Sequence, residues 1–444
     1  MDSLTYLQLL RGNRSFRRLW IGQVISELGN WFNFIAGLGL VRALSHGDPE
    51  VTTIMLLTRL LPFTIFAPLA GAFVDRWSRR TVMIVSDLAR VGVAFGFLLV
   101  HGPEQFWIAY VCTGLLAFFG AFFEAAKNAS LPNITGERDL LAGNALMFSS
   151  RFLLMSFGAM LGGWTAANVG YRAAFIVNAI SFVASAFSVW LIPDEQTRQT
   201  APATGELEES KRPAFWVDLR EGWSYIVSHA PVAAIIFTNV FWASGGGAIN
   251  LISDRLGGIV FAGEHGISGD SAVAALYFAA GIGLFIGMMI ARRAGTYVEM
   301  RGKITGFIGW SLVAQGVIFA LMGIMPSLRF ACLLLFIGRI LLGAEFAVQE
   351  TLLMRLVPDK LRGRVSTTDR ATEILVWSLS TSLAGWSLRA ITPRTLTVIA
   401  GLLSATSGVF WLGLFASGRV RLPRRWRVGE SSAKTETLPV AGDL

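Results

Sequence analysis

Charge is scarce in this chain: acidic and basic residues fill only 15% of its 444 positions, against 53% that are hydrophobic. A soluble chain of this length divides into about two or three domains and covers them with far more charge. Cysteine is nearly absent. Cys112 and Cys332 both sit inside apolar runs, which argues against a disulfide framework and leaves them as small buried hydrophobes. The four histidines, His46, His101, His229 and His265, fall in loops or at the ends of apolar runs. No metal-ligand cluster, Gly-Lys-Ser/Thr phosphate loop or nucleophile elbow occurs. No metal or cofactor is expected, and a membrane enzyme or non-transporting sensor stands only as an alternative of another class.

The chain is rich instead in apolar runs of about 20 residues, the length that crosses a hydrocarbon core as a helix. Its mean hydropathy is +0.56. Runs such as "LLAFFGAFFEAA" are continuous, whereas barrel strands would alternate over about ten residues. The first run starts near Leu19, contains Glu27 and lacks a small-residue cleavage site, so it reads as a retained helix. Twelve spans are expected: 18–42, 51–74, 81–101, 104–127, 139–168 and 171–192, then 231–254, 271–292, 303–325, 328–356, 365–390 and 395–417. The fold class is all-α membrane protein, with two pseudo-symmetric six-helix bundles at 1–192 and 231–417. Between them, 193–230 is a polar linker ending in an amphipathic helix, and 418–444 forms a tail. Trp216, Leu219, Trp223 and Ile226 share one face of that helix, which suits an inner membrane surface; the alternative is the start of the seventh span.

Lysine and arginine set the orientation. Arg11, Arg14, Arg17 and Arg18, the "DRWSRR" stretch, the middle linker, "ARRAG", "DKLRGR" and "RVRLPRRWR" all fall on one side. The opposite loops hold only Arg42, Arg172, Arg255, Arg329, Arg389 and Arg394. Both termini are expected in the cytoplasm of a bacterial-type inner membrane. The net charge of +9 is thereby explained without nucleic acid.

The halves repeat weakly. Cys112 and Cys332 are 220 positions apart, Glu124 and Glu345 221, and Pro132 and Pro358 226. Parallel repeats of this kind are a transporter architecture with a substrate path between the halves.

Against this background "GAFVDRWSRRTVM" resembles the loop between the second and third helices of the major facilitator superfamily. Gly71, Asp75, Arg76, Arg79 and Arg80 match that pattern, and Ser78 replaces a glycine. The resemblance implies a cytoplasmic gate that latches the two halves. An ordinary positive-inside loop would explain the arginines but not Asp75 with Gly71. The second-half counterpart "GMMIARRAG" keeps Gly287, Arg292 and Arg293 but has Ala291 in place of the acid. "SFRRLWIGQVISELGNW", "LPNITGERDLLAGNAL", "AAFIVNAISFVASA", "LREGWSYI" and "RLVPDKLRGRV" resemble the branch that contains macrolide and enterobactin exporters. "GAMLGG" resembles the superfamily's antiporter motif, with Ala159 where that motif has proline.

Ionisable residues within spans cost about 2.5–3.5 kcal/mol each near a helix centre, so they mark protein-facing or wet surfaces. They are Glu27, Arg59, Glu124, Lys127, Arg151, Arg339, Glu345, Glu350, Arg370 and Glu373, five acids and five bases. Spans six, eight, nine and twelve carry essentially none; the resemblance implies that three, six, nine and twelve are peripheral. Asp87 and Arg90 are expected to snorkel from, or to support, the loop before the third span.

Glu27, beside Gly29 and Asn30, is the first candidate for a proton carrier, with Glu124 and Glu345 as further candidates. A structural pair of Glu27 with Arg151 or Arg339 is the competing reading. Glu124 and Lys127 share a helical face three residues apart. Asn30, Arg59, Lys127, Arg151, Asn239, Trp242, Asn250, Tyr277, Arg339, Glu350 and Glu373 are candidate cavity residues. The charge balance suits a zwitterionic, anionic or amphiphilic solute. The leading function is a proton-coupled exporter working by alternating access, with a small-molecule or lipid-like substrate, protons and membrane lipid as partners and a monomeric state. A lysophospholipid flippase is the alternative, since "EAAKNASL" also resembles a segment of that related family.

Overall fold

The computed structural model describes residues 6–74, 76–136, 138–197 and 215–422. Among these there are helices and no strands. A short helix α1 (Tyr6–Gly12) leads into α2 (Arg14–Leu44), α3 (Pro49–Val74), α4 (Arg79–Gly96), α5 (Phe106–Thr135), α6 (Leu140–Asn168) and α7 (Tyr171–Trp190). After α8 (Phe215–Ser228) come α9 (Ala230–Gly246), α10 (Ile249–Arg255), α11 (Gly269–Met300), α12 (Ile304–Gly323), α13 (Leu328–Leu356), α14 (Asp359–Ser387) and α15 (Pro393–Ala416). Eleven spans among the described residues are long and apolar enough to cross a membrane, α9 and α10 together counting as one. The remaining long helix, α14, has 29 residues. It carries Arg364, Asp369, Arg370 and Glu373, which lower its hydropathy without shortening it.

Local chemistry sets several helix starts. Asn13 accepts the Phe16 amide at 2.9 Å, Ser78 that of Thr81 at 3.4 Å, and Thr392 that of Thr395 at 3.2 Å. The seventh span breaks at "SGGG". There α9 stops at Gly246, and a β-carbon on Gly247 would fall 2.9 Å from the backbone of Trp377 on α14. Thr381 and Ser380 on α14 donate to the Gly247 and Ser244 carbonyls at 3.2 and 2.7 Å, satisfying backbone acceptors that the break releases.

Small residues let the helices approach. Gly309, Gly316 and Gly323 recur every seven residues on α12 and meet α15, which answers with Gly401 and Gly408. In the first half α7 packs on both α2 and α4. The third and sixth spans of each half are thus paired with each other.

Between the halves, α6 packs on α11 and α3 on α14. The α6–α11 contact runs from the distal end, away from where α2 begins and α15 finishes, down to mid-helix, where Gly281 rests on Ser156 and the Phe152 carbonyl. Gly163 lies on Ala274 and the Asp270 carbonyl, Phe157 on Phe278 at 5.7 Å, and Thr53 on Gly385. The small residues of "GAMLGG" therefore bring α6 against both α2, through Gly158 and Trp31, and the other half.

The amphipathic segment is helical, as α8. Its face turns partly inward: Ile226 is fully buried, while Trp223 stays 40% exposed. Gly222 rests on the Arg364 carbonyl, and Glu221 pairs with Arg364 of α14. The linker at 198–214 and the tail from 423 lie outside the described residues.

Candidate functional site

The polar residues fall into three layers from the distal to the proximal end of the helices. The distal layer is an ion network that local sequence patterns do not reveal. Arg42, near the end of α2, donates to Asp254 on α10 and to Asp270 in the first turn of α11. Tyr171 of α7 donates to the other oxygen of Asp270 at 2.9 Å. Arg255 returns the exchange, donating to Thr52 and, at 2.5 Å, to the Gly47 carbonyl, while its guanidinium stands 3.1 Å from Asp254. Arg389 and Glu50 add an exposed pair at the rim. Arg42, Asp254 and Arg255 are 8%, 0% and 2% exposed, so this is a sealed cross-half closure. Gly258 and Gly39 make it possible: a β-carbon on the first would strike the Arg42 guanidinium, and on the second the Asp270 carboxylate.

Asp270 lies one residue before the expected start of the eighth span, in the first turn of α11. The arginines 42, 255 and 389 had the look of stray charges in the wrong loops. Each contacts the opposite half, Arg42 and Arg255 from buried positions and Arg389 from an exposed one.

The middle layer is aromatic and cationic. Trp31, Phe34 and Tyr277 form a cluster with ring centroids 5.4–5.7 Å apart. The Arg59 guanidinium lies over Phe34 at 3.8 Å and over Trp31 at 5.5 Å. Tyr277 donates to Asn250 at 2.8 Å, and Arg339 lines a small cavity with Trp242, Gln315 and Phe319. Among the described residues Arg59, Arg151 and Arg339 have no carboxylate within 4.0 Å. The indole nitrogens of Trp31, Trp242 and Trp377 are buried and lack an acceptor.

The proximal layer carries the acids. Lys127 donates to both oxygens of Glu124 at 2.7 and 2.6 Å, so the pair expected from their spacing forms. Glu27 accepts a 3.3 Å bond from Asn30 and pairs with neither Arg151 nor Arg339 among the described residues. Glu345 is 2% exposed, and its Oε1 has no hydrogen-bond partner. Gln349 donates to Asn239 at 2.6 Å, which in turn reaches Asp369 at 3.3 Å. Arg370 holds Glu373 at 2.8 Å, and Glu350 is half-buried on the neighbouring helix α13. Asp369 joins this layer unanticipated, since nothing in its local pattern distinguishes it from the charges of the adjoining loop.

Asp87 and Arg90 neither snorkel nor serve the loop. They pair with each other at 0% and 4% exposure, the Arg90 guanidinium lying 4.8 Å and 4.4 Å from the Phe123 and Phe182 rings. The surrounding helices α5 and α7 block any route to the interface.

Of the expected gate, Asp75 lies outside the described residues. Arg79 donates to the Ala129 carbonyl of α5 at 2.7 Å, Arg80 to the Trp190 carbonyl of α7, and Ser78 to Asp194 at 3.1 Å. Arg76 is exposed, and a β-carbon on Gly71 would meet open space. These contacts stay within the first half while the distal end is sealed.

Comparison with known proteins agrees with this architecture. YfiS of Bacillus subtilis (strain 168), an MFS-type transporter, is 25% identical over 218 residues, 49% of this chain and 50% of that protein. Macrolide efflux protein A of Streptococcus pyogenes is 22% identical over 79% of this chain and 83% of its own length. The crystal structure of a bacterial homologue of the iron transporter ferroportin, in an inward-facing state, superposes with a TM-score of 0.65 at 14% identity, covering 90% of this chain and 98% of that one. Residues 19–314 match the Major Facilitator Superfamily model. The chain belongs to the Major Facilitator Superfamily, and it is a multi-pass membrane transporter and not an enzyme.

Proposed function

We propose that this protein is a proton-coupled exporter of an amphiphilic small molecule, working by alternating access in a bacterial-type inner membrane with both termini in the cytoplasm. The observation that carries the reading is the sealed distal network around Arg42, Asp254, Arg255 and Asp270, set above a layer of unpaired polar groups. With the termini cytoplasmic, as the Lys/Arg bias supports, this conformation is closed outward. The macrolide efflux relative supports the outward direction of transport.

Glu345 takes precedence as the proton carrier. An unpaired anion at its depth costs several kcal/mol, and no cation lies within 4.0 Å among the described residues. Glu124 is already neutralised by Lys127. Glu27 remains a second carrier, its carboxylate accepting from the Asn30 amide.

The test is a proteoliposome assay with an internal pH dye and a macrolide as the first substrate. Wild-type protein is expected to move protons only when substrate is added, and Glu345→Gln to bind substrate but lose the linked proton flux. Substrate movement with no pH response in the wild type would overturn the coupling. Unchanged flux in Glu345→Gln would remove that residue from it.

A further inference from the structure

Arg339 is a cation without a counter-charge. It lies about 15 Å below the distal end of α13, at 1.5 Å per residue, in the middle of an apolar span. Among the described residues its guanidinium has no carboxylate within 4.0 Å, no hydrogen-bond acceptor and no aromatic ring beneath it. The one titratable group within electrostatic reach is the Tyr277 phenol, which donates to Asn250 at 2.8 Å. Arg59 is placed differently: it stacks on Phe34 and has Glu27 within electrostatic reach. An isolated charge at this depth is strongly disfavoured until something neutralises it.

The surroundings of Arg339 supply donors but no anion. It lines one cavity with Trp242 of α9 and Gln315 of α12. The Trp242 indole nitrogen is buried and lacks an acceptor, and Gln315 uses only one of its two amide hydrogens, on Ser404 at 2.8 Å. The carbonyls released where α9 breaks, those of Ser244 and Gly247, are taken by Ser380 and Thr381 of α14. From α11, Gly283 packs on the stem of Arg339, where a β-carbon would fall 2.8 Å from the arginine's own. The space is small, about 10 Å³ for the centre of a water-sized body, and Ile318, Phe319 and Leu335 give it apolar walls. It takes one compact occupant.

We propose that this cavity is a chloride site, the ion accepting from the Arg339 guanidinium, the Trp242 indole N–H and the second amide hydrogen of Gln315. One negative charge neutralises the arginine and gives the two neutral donors their acceptor, joining α9, α12 and α13 inside the second half. A cation is repelled by Arg339, and a water molecule satisfies the donors but leaves the charge standing. A carboxylate brings a carbon skeleton for which the apolar walls leave no room. The site is built from the second half alone and does not depend on the exporter reading.

The experiment follows thermal unfolding of the full-length protein in detergent by tryptophan fluorescence, with sodium gluconate replaced stepwise by sodium chloride at constant ionic strength. A ligand of the folded state raises the melting temperature with the logarithm of its concentration once above its Kd. The wild type is expected to show that rise with chloride and with bromide. Arg339→Gln should abolish it, and its deficit against the wild type should be largest in chloride and shrink or reverse in gluconate. Trp242→Phe keeps the ring and loses only the N–H; it should need about tenfold more chloride for the same shift, and it carries the test if Arg339→Gln does not fold. Arg301→Gln removes an exposed cation just beyond α11 and should keep the full response, which separates a site from general salt screening.

Acetate and benzoate are expected to stabilise the wild type far less than chloride at equal concentration. Stronger stabilisation by either, lost in Arg339→Gln, would overturn the chloride assignment in favour of the carboxylate of an organic ligand. No chloride-dependent rise in the wild type, an equal rise in Arg339→Gln, an unchanged midpoint in Trp242→Phe, or loss of the response in Arg301→Gln would each overturn the site itself.

Discussion

Replacing Arg42 with alanine should open the distal end. The side chain bonds two carboxylates of the other half and is 8% exposed. Removing one partner from a buried ionic cluster costs about 3–5 kcal/mol, because the remaining charges stay buried without compensation. Asp254 keeps Arg255 at 3.1 Å and Asp270 keeps Tyr171 at 2.9 Å, which argues for the lower end of that range. The cluster exists only when the halves meet distally, so the loss falls on the closed conformer. About 3 kcal/mol shifts a two-state ratio by more than a hundredfold, enough to make a strongly favoured closed state a minor one. Spin labels at Glu104 and Arg329, exposed sites on distal turns of the two halves, report the separation in a background with Cys112 and Cys332 replaced by alanine. The wild type should give one short distance and Arg42→Ala a longer or bimodal distribution. Adding Asp270→Asn should recover part of the closed population, with a coupling of about 1.5 kcal/mol or more across the cycle. An unchanged distance in Arg42→Ala, or a coupling within about 0.5 kcal/mol of zero, would refute the closure argument.

Other substitutions probe neighbouring steps of the same reasoning. Arg389→Ala removes a pair whose side chains are 57% and 45% exposed; it should change the label distances little, since such pairs contribute about 0–1 kcal/mol. Gly163→Leu places side-chain atoms where α6 meets Ala274 and the Asp270 carbonyl, and should separate the distal ends in the same measurement. Trp411→Ala empties a fully buried site and removes the 2.8 Å bond to the Thr305 carbonyl. A loss of about 3–5 kcal/mol is expected, seen as a lower melting temperature of the detergent-solubilised protein.

How far the molecule could be read from its residues differs by layer. Glu124 and Lys127 were legible because helix geometry alone brings positions three apart onto one face. Arg59, Arg339 and Glu345 were legible as isolated charges in apolar runs, whose cost demands a sheltered place. Trp31, Phe34 and Trp377 carried no such signal, since an aromatic residue in a span is as ordinary on lipid as on a cavity. Asp254, Asp270 and Asp369 lay at the expected edges of spans, where a carboxylate is unremarkable. Asp87 and Arg90 were misread for the same reason: near a span end, a charge that reaches water and one that is buried look alike.

Hydropathy, the side carrying lysine and arginine, and the spacing of the half-chain repeats determined the helical membrane class and the expected arrangement of spans, while the superfamily was visible only as the resemblance carried by "GAFVDRWSRRTVM". Those properties are local or additive along the chain, and a bilayer imposes them on any sequence of this composition. Only the tertiary structure decided which charges are partners. Arg42 meets Asp254 and Asp270 across 212 and 228 positions of sequence, through the packing of α6 on α11 and α3 on α14. Ion pairs between separate halves depend on how two bundles lean together, a geometry that no periodicity within either bundle encodes.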